Sequence, residues 1–496
     1  MELEKVKTKA SSIFVQIIAT FAIAYLTCLT GFIYAWPSYT VANFVSNDTV
    51  LSHPMSSLEV SLLGSLTNVG GLVVTPFCGY LINNLGRKYS SMLFGVPFVL
   101  AWGIIAITNN VSLVLAAVTF SGVGAAGQAV CSVYISEISQ DSIRGGLTST
   151  TVFGFFFGLL FSYILGGYLS YQQVLYTHLV LSVIYILMLI MLKESPVFLI
   201  QKGREEEAAQ AIAFYRQVDV TSKLVEIEIK KIKLQLDPRI DEILQQGEND
   251  EETWNRLITT KVPDEPVKSQ SELKFLWKSE SSKRALLAVL IIMALTVLMG
   301  SIVLQVYAEP LFKEAVPSMP SNLCAIFLAV DFVLASAVCA VVVDKLGRKN
   351  LLTSTSALSG VCTALLGSQL QYHWAPHWFT AFLIYLYCFV YTCGAAVVPF
   401  ILTAEVFLPE VRGLGNSVSM AMMWIMNFVT MVIFGVLVEY LGLAQCFYFF
   451  TIVCFIGAVY SQMYLPETKG LSADAIQLLF LKKHKSKKNN HVQMLN

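Results

Sequence analysis

Apolar residues run in long blocks along this chain, and polar residues collect between the blocks. A helix that crosses a bilayer needs about 20 mostly apolar residues. Twelve stretches meet that length: 13–35, 57–83, 90–108, 111–136, 146–169, 173–192, 284–308, 322–343, 351–369, 378–402, 414–438 and 443–464. A polar stretch, 193–283, separates the sixth from the seventh. Within it, residues 204–217 (REEEAAQAIAFYRQ) have helical spacing, and the acidic, Pro-containing segments QGENDEETWNR and KVPDEP follow. The pattern predicts an all-α integral membrane protein. Its units are a six-helix block over 1–192, a linker with short helices over 193–283, a second six-helix block over 284–466 and a tail over 467–496.

Composition narrows the function classes. Hydrophobic residues are 55% of the 496 and charged residues 13%, about half the share of a soluble domain. Such a chain cannot cover a water-facing surface, which excludes a soluble enzyme and a disordered scaffold. Lys+Arg and Asp+Glu are 33 each, so no global field recruits nucleic acid. No GxxxxGK[ST] motif occurs, so P-loop ATP hydrolysis is not expected. The ten cysteines fall almost wholly inside apolar runs, with no CxxC pair or Cys/His cluster, so neither a metal nor a disulfide scaffold is expected. No catalytic triad stands out, and no cofactor is expected.

Basic residues set the orientation. Of the 33 Lys and Arg, only Lys313 falls in the loops 36–56, 109–110, 170–172, 309–321, 370–377 and 439–442. By the positive-inside rule those loops face outside, and both termini and the linker are cytosolic. Asn47-Asp48-Thr49, in the longest outer loop, is a candidate glycosylation sequon. The pattern recurs at Asn110, in a tight turn where use is not expected.

The two halves repeat. Gly86-Arg87-Lys88 is echoed by Gly347-Arg348-Lys349, Glu137…Arg144-Gly145 by Glu405…Arg412-Gly413, and Glu194-Ser195-Pro196 by Pro466-Glu467-Thr468. Three motif types, each twice and in the same order, imply two bundles related by an axis along the membrane normal. Anchoring at the membrane surface accounts for Lys88, Lys349 and the Lys-rich tail. It does not account for a glutamate seven residues before an arginine, twice. Opposite charges on both bundles predict ion pairs between them when the cytosolic side closes, each coupling by roughly 1–3 kcal/mol.

These motifs, with Pro466-Glu467-Thr468-Lys469-Gly470 among the more specific, resemble the sugar porter branch of the major facilitator superfamily over nearly the whole chain, and its insect facilitative hexose and trehalose carriers in particular. The resemblance implies twelve transmembrane helices in two six-helix bundles and facilitated diffusion of a sugar or related polyol by alternating access. It implies an inner gate of Arg87, Glu137, Arg144, Glu194, Arg348, Glu405, Arg412 and Glu467, and a plasma-membrane location. The sugar site departs from the family. Two glutamines and an asparagine usual on span seven are here Thr296, Val297 and Ile302; a glutamine of span five is Val152; a tryptophan of span ten is Phe400. Span eleven keeps Trp424 and Asn427. Each lost hydrogen-bond partner costs a sugar about 1 kcal/mol or more, so four amount to roughly 4 kcal/mol, about a thousandfold in affinity. Thr296, Ser301, Gln305, Tyr307, Thr392 and Asn427 are candidate replacements, and Thr296, Gln305, Phe400, Trp424 and Asn427 form the candidate substrate site.

Asp331 lies mid-span in LAVDFVLAS, and an intramembrane carboxylate defaults to a functional reading. Two alternatives therefore stand beside the facilitative carrier: an ion-coupled carrier of a less polar solute using Asp331, and a nutrient sensor that does not transport. The expected partners are a small solute and the lipid bilayer; composition is silent on oligomeric state.

Overall fold

Inside hydrocarbon, backbone N–H and C=O groups find no water, so a chain this apolar folds as helices that satisfy them internally. The computed structural model describes residues 10–140, 143–236, 280–407 and 412–469, with 476, 479 and 480. Among them, the first half runs α1 (Ala10–Phe44), α2 (Ser57–Leu85), α3 (Arg87–Ile107), α4 (Val111–Ala125), α5 (Gln128–Ile138), α6 (Arg144–Tyr168) and α7 (Tyr171–Ile190). The linker contributes α8 (Pro196–Gln201), α9 (Glu205–Arg216) and α10 (Lys223–Gln235). The second half runs α11 (Glu280–Leu298), α12 (Ser301–Val306), α13 (Ala308–Ala315), α14 (Ser321–Leu346), α15 (Arg348–Tyr372), α16 (His377–Thr392), α17 (Val398–Glu405), α18 (Arg412–Leu441) and α19 (Leu443–Tyr464). The tail beyond 480 and the acidic part of the linker lie outside the described residues.

The helices form two six-span bundles. In the first, α1 packs on α6, α2 on α4, and α3 on α4 and α7; in the second, α15 packs on α19 and α16, and α11 on α18 and α19. The two most extensive packings between the bundles are α2 against α18 and α6 against α14, and α1 also meets the short helices α12 and α13. Small residues permit close crossings: a Cβ on Gly70 would sit 1.9 Å from the Thr119 carbonyl oxygen, and one on Gly122 equally near that of Thr67. Polar ends are capped locally. Ser56 and Glu59 form a capping box at α2. The Asn110 carboxamide accepts from the Ser112 and Leu113 amides at α4, which occupies the side chain of the second sequon.

Three spans expected to be continuous are broken. The span at 111–136 divides at Ala126–Gly127, that at 284–308 at Met299–Gly300, and that at 378–402 at Cys393–Val397. The seventh breaks because Gly300 takes φ +93°, where a side chain would also meet the Phe450 ring at 2.5 Å. The tenth restarts at α17 with Pro399 in its first turn, a position that needs no amide hydrogen. Hydropathy alone does not register these breaks, since the residues at them, Ala126–Gly127, Met299–Gly300 and Cys393–Val397, are apolar or small.

Gly300→Ala should therefore lower stability by about 2 kcal/mol or more, read as a fall in the melting temperature of the purified protein. Gly79→Ala, whose Cβ would meet nothing within 4 Å, should leave it nearly unchanged.

Candidate functional site: a cavity at the broken spans and paired charge clusters

The three breaks open onto one cavity of about 140 Å³. Irregular backbone at membrane depth is tolerated where it lines such a space. Gln128 begins α5 on its wall; Thr296, Val297, Ile302 and Gln305 flank the seventh break; Ala395, Ala396, Val397, Pro399 and Phe400 come from the tenth. All five residues of the candidate substrate site, Thr296, Gln305, Phe400, Trp424 and Asn427, line it, as do the aliphatic positions Val152, Val297 and Ile302. Ser301, Tyr307 and Thr392 do not. Ser301 accepts a hydrogen bond from Gln305 Nε2 at 3.3 Å, Tyr307 reaches another helix, and Thr392 is fully buried. The wall also holds Thr30, Tyr34 and Gln128, which the reading of the sequence missed. The signal was present: Thr30 and Tyr34 share a face of α1 at i,i+4 spacing, and Gln128 is a lone amide in an apolar span.

The repeated charges build the same circuit twice on the face that carries the linker. In the first bundle Arg87 Nη2 lies 2.7 Å from Glu137 Oε1, and Ser195 Oγ donates to the other Glu137 oxygen. The Glu194 carboxylate accepts the backbone amides of Arg87 at 2.9 Å and Lys88 at 3.0 Å, at the N-terminus of α3, where negative charge is favoured. In the second bundle Arg348 Nη2 lies 2.8 Å from Glu405 Oε1, and Thr468 Oγ1 donates to Glu405 Oε2 at 2.7 Å. Glu467 accepts the amides of Arg348 at 2.8 Å and Lys349 at 3.2 Å. Glycine precedes each arginine for a steric reason. Gly86 and Gly347 have φ +91° and +84°, and a Cβ there would lie 2.4 and 2.6 Å from the carboxylate oxygens of Glu194 and Glu467. Burial raises the Glu194 pKa above the ordinary carboxylate range, against the amides of Ser195, Lys88 and Arg87 that pull it down.

These ion pairs lie within each bundle in this structure; the pairs expected between the bundles belong to a state closed on the cytosolic side. Arg144 is exposed and lines a second space of about 320 Å³, with Glu137, Arg216, Glu228 and Lys231 around it. The linker walls that space: Arg216 pairs with Glu228 at 2.7 Å and donates to the Ile138 carbonyl at 2.8 Å. The Arg412 side chain lies outside the described residues.

Hydrogen bonds across the seam between bundles fall elsewhere. Tyr307 donates to the Val60 carbonyl at 2.9 Å, the Glu309 amide to Ser38 Oγ at 2.9 Å, and Tyr163 to the Gln305 carbonyl. All three lie between the cavity and the face opposite the linker. At the cavity itself, Trp424 Nε1 donates to Thr75 Oγ1 at 2.9 Å, and Phe156 stacks on Phe332 with ring centroids 5.1 Å apart. Among the described residues no group of three His, Cys, Asp or Glu is placed to hold a metal.

Two lobes with a cavity between them and the same charge cluster built twice on one face are the features to set beside known proteins. The profile of the family "Sugar (and other) transporter" matches residues 12–480. The chain belongs to that family. It is 27% identical to the facilitated trehalose transporter Tret1 of Polypedilum vanderplanki, over 96% of this chain and 90% of that protein. It is 26% identical to the Tret1 of Culex quinquefasciatus, over 94% and 86%. The fold matches the inward open conformation of the E. coli xylose transporter XylE with a TM-score of 0.73 at 18% identity, covering 93% of this chain and 99% of that one. The structural match shows the major facilitator fold, and membership of the family makes the chain a multi-pass membrane transporter rather than an enzyme.

Removing one partner of a buried ion pair leaves a charge uncompensated, at about 3–5 kcal/mol. Arg87 is 4% exposed, so Glu137→Gln should lower the melting temperature markedly. Arg144→Ala, at an exposed position, should barely move it.

Proposed function

We propose that this family member moves a sugar or related polyol by facilitated diffusion through alternating access. The cavity carries this reading: it lies between the two bundles, at the breaks of three spans, and holds all five candidate substrate residues. Its two curated relatives named above are facilitated trehalose transporters. The units are the bundles 1–192 and 284–466, the linker 193–283 and the tail 467–496. The linker face is cytosolic and the protein sits in the plasma membrane, with Lys313 alone among the basic residues of the opposite loops.

The hydrogen bonds at Tyr307, Tyr163 and Glu309 close the outer side. Each contributes about 0.5–1.5 kcal/mol net. Their sum holds one state but stays below the roughly 5.5 kcal/mol that takes a two-state balance from 99:1 to 1:99. When the outer side opens, the cytosolic ends approach, and Glu137, Arg144, Glu405 and Arg412 meet across the seam. Arg87 and Arg348, held by Glu194 and Glu467, keep the helix ends rigid while the lobes rock.

A second reading, coupling to an ion, is favoured by Asp331. Its Oδ2 is buried with no hydrogen-bond partner among the described residues, on α14 near Tyr385 and Cys388 of α16 and Cys393 at the end of that helix. A carboxylate so placed calls for a proton or cation.

One assay separates the two. In proteoliposomes, labelled hexose or trehalose should equilibrate without accumulation, and Arg144→Ala should slow exchange severalfold at unchanged protein abundance. Unchanged kinetics in that variant removes the latch. Accumulation that a protonophore and Asp331→Asn both abolish would instead establish coupling. Asn47 is exposed in the loop after α1, which supports its glycosylation. A glycosidase-sensitive mobility shift lost in Asn47→Gln would place that face outside, and its absence in cells would argue against that use.

A further inference from the structure

The cavity holds few polar groups that a solute can use. Tyr34 donates to Asn68 Oδ1 at 2.7 Å, Tyr391 to the Thr296 carbonyl at 2.9 Å, and Trp424 to Thr75. Thr30 and Thr296 turn their hydroxyls back onto the carbonyls of their own helices, at 3.1 and 2.9 Å. Each of these donors is engaged by the protein itself. Two amides remain. Gln128 and Asn427 line the cavity and have no side-chain hydrogen-bond partner among the described residues. They come from opposite bundles, Gln128 from α5 and Asn427 from α18. Gln305 adds a carbonyl oxygen, since its Nε2 is bonded to Ser301.

The wall between those amides is carbon: Phe155, Phe156, Met293, Phe400 and Met423. A free hexose carries hydroxyls around its whole rim. Two amides answer one edge of that rim, and the remaining hydroxyls would lose water against aromatic and thioether groups that return no hydrogen bond. A ring that lacks a hydroxyl, or hides one under an alkyl group, loses nothing there and buries carbon instead. Size points the same way. At about 140 Å³ the cavity is well below the roughly 300–1,000 Å³ typical of sites for drug-sized ligands, which suits one ring.

We propose that the preferred cargo is an amphipathic single-ring sugar derivative, a deoxyhexose or short alkyl glycoside. Its hydroxyl edge bridges Gln128 and Asn427, and its apolar edge lies on Phe155, Phe156 and Phe400. The bridge ties cargo to both lobes at once, so binding is coupled to their approach. This inference rests on the carrier reading above.

The test is counterflow in proteoliposomes holding the full chain, with 6-deoxyglucose, ethyl β-glucoside, glucose and trehalose as solutes. The first two should exchange with kcat/KM at least tenfold above glucose, and trehalose should be poorer still. Glucose or trehalose exchanging as well as the first two overturns the inference and leaves the carrier standing. No exchange of any of the four overturns both. Val297→Gln, which adds an amide to the carbon wall, should move the ratio towards glucose by tenfold or more. An unchanged ratio in a variant that still exchanges counts against the assignment of that wall. Should the variant fail to fold, the wild-type ratio decides alone.

Discussion

Two lobes of this protein are held together by a thin set of hydrogen bonds, one at the shared cavity (Trp424 to Thr75) and the others on one side of it, and the rest of the molecule follows from that constraint. Tyr307, Tyr163 and the Glu309 amide reach across the seam on the side away from the linker. Each bond ends on a backbone carbonyl or a hydroxyl, never on a charge. Neutral bonds of this kind break at modest cost, whereas a fully buried ion pair across the same seam would hold one state against thermal motion. The apolar contacts of α2 with α18 and α6 with α14 are non-directional, so they tolerate a change of angle that a charged contact would resist.

In this state the buried ion pairs of the charge clusters, Arg87–Glu137 and Arg348–Glu405, lie within single bundles. Glu194 and Glu467 hold the first amides of the helices that carry those arginines. The linker joins the same construction. Tyr134 and Tyr215 both donate to the Lys193 carbonyl, and Gln16 spans from Tyr215 to the Gln140 amide. The first bundle and its attached helices α8–α10 are therefore tied at several points, and the freedom left to the molecule is concentrated at the seam.

The cavity exists because three spans are interrupted around it. Breaking a helix in a membrane exposes backbone polar groups, and the interruptions at Gly127, Gly300 and Gly394 are affordable only where protein packs close by. Tyr387 donates to the Met299 carbonyl at 2.6 Å and Tyr391 to the Thr296 carbonyl at 2.9 Å, which satisfies carbonyls freed at the seventh break. Those tyrosines thereby leave the pool of groups facing the cargo.

Much of this was legible in residue order alone. Spans, the linker, the sidedness of basic residues and the duplication depend on counting and spacing, because partition between oil and water is a property of segments. Of the five wall residues, Thr296, Phe400, Trp424 and Asn427 were legible through the family's motif spacing and Gln305 as a polar side chain within an apolar span, and the structure brings them together. Tertiary structure decided the rest. Whether Ser301, Tyr307 or Thr392 faces the cavity depends on how each short helix is rotated after its break. Whether Glu137 meets Arg87 or Arg144 depends on which helix ends are neighbours in this state. Hydropathy averages over all directions around a helix, while a binding site and a gate are made of directions, and only packing across the seam sets those.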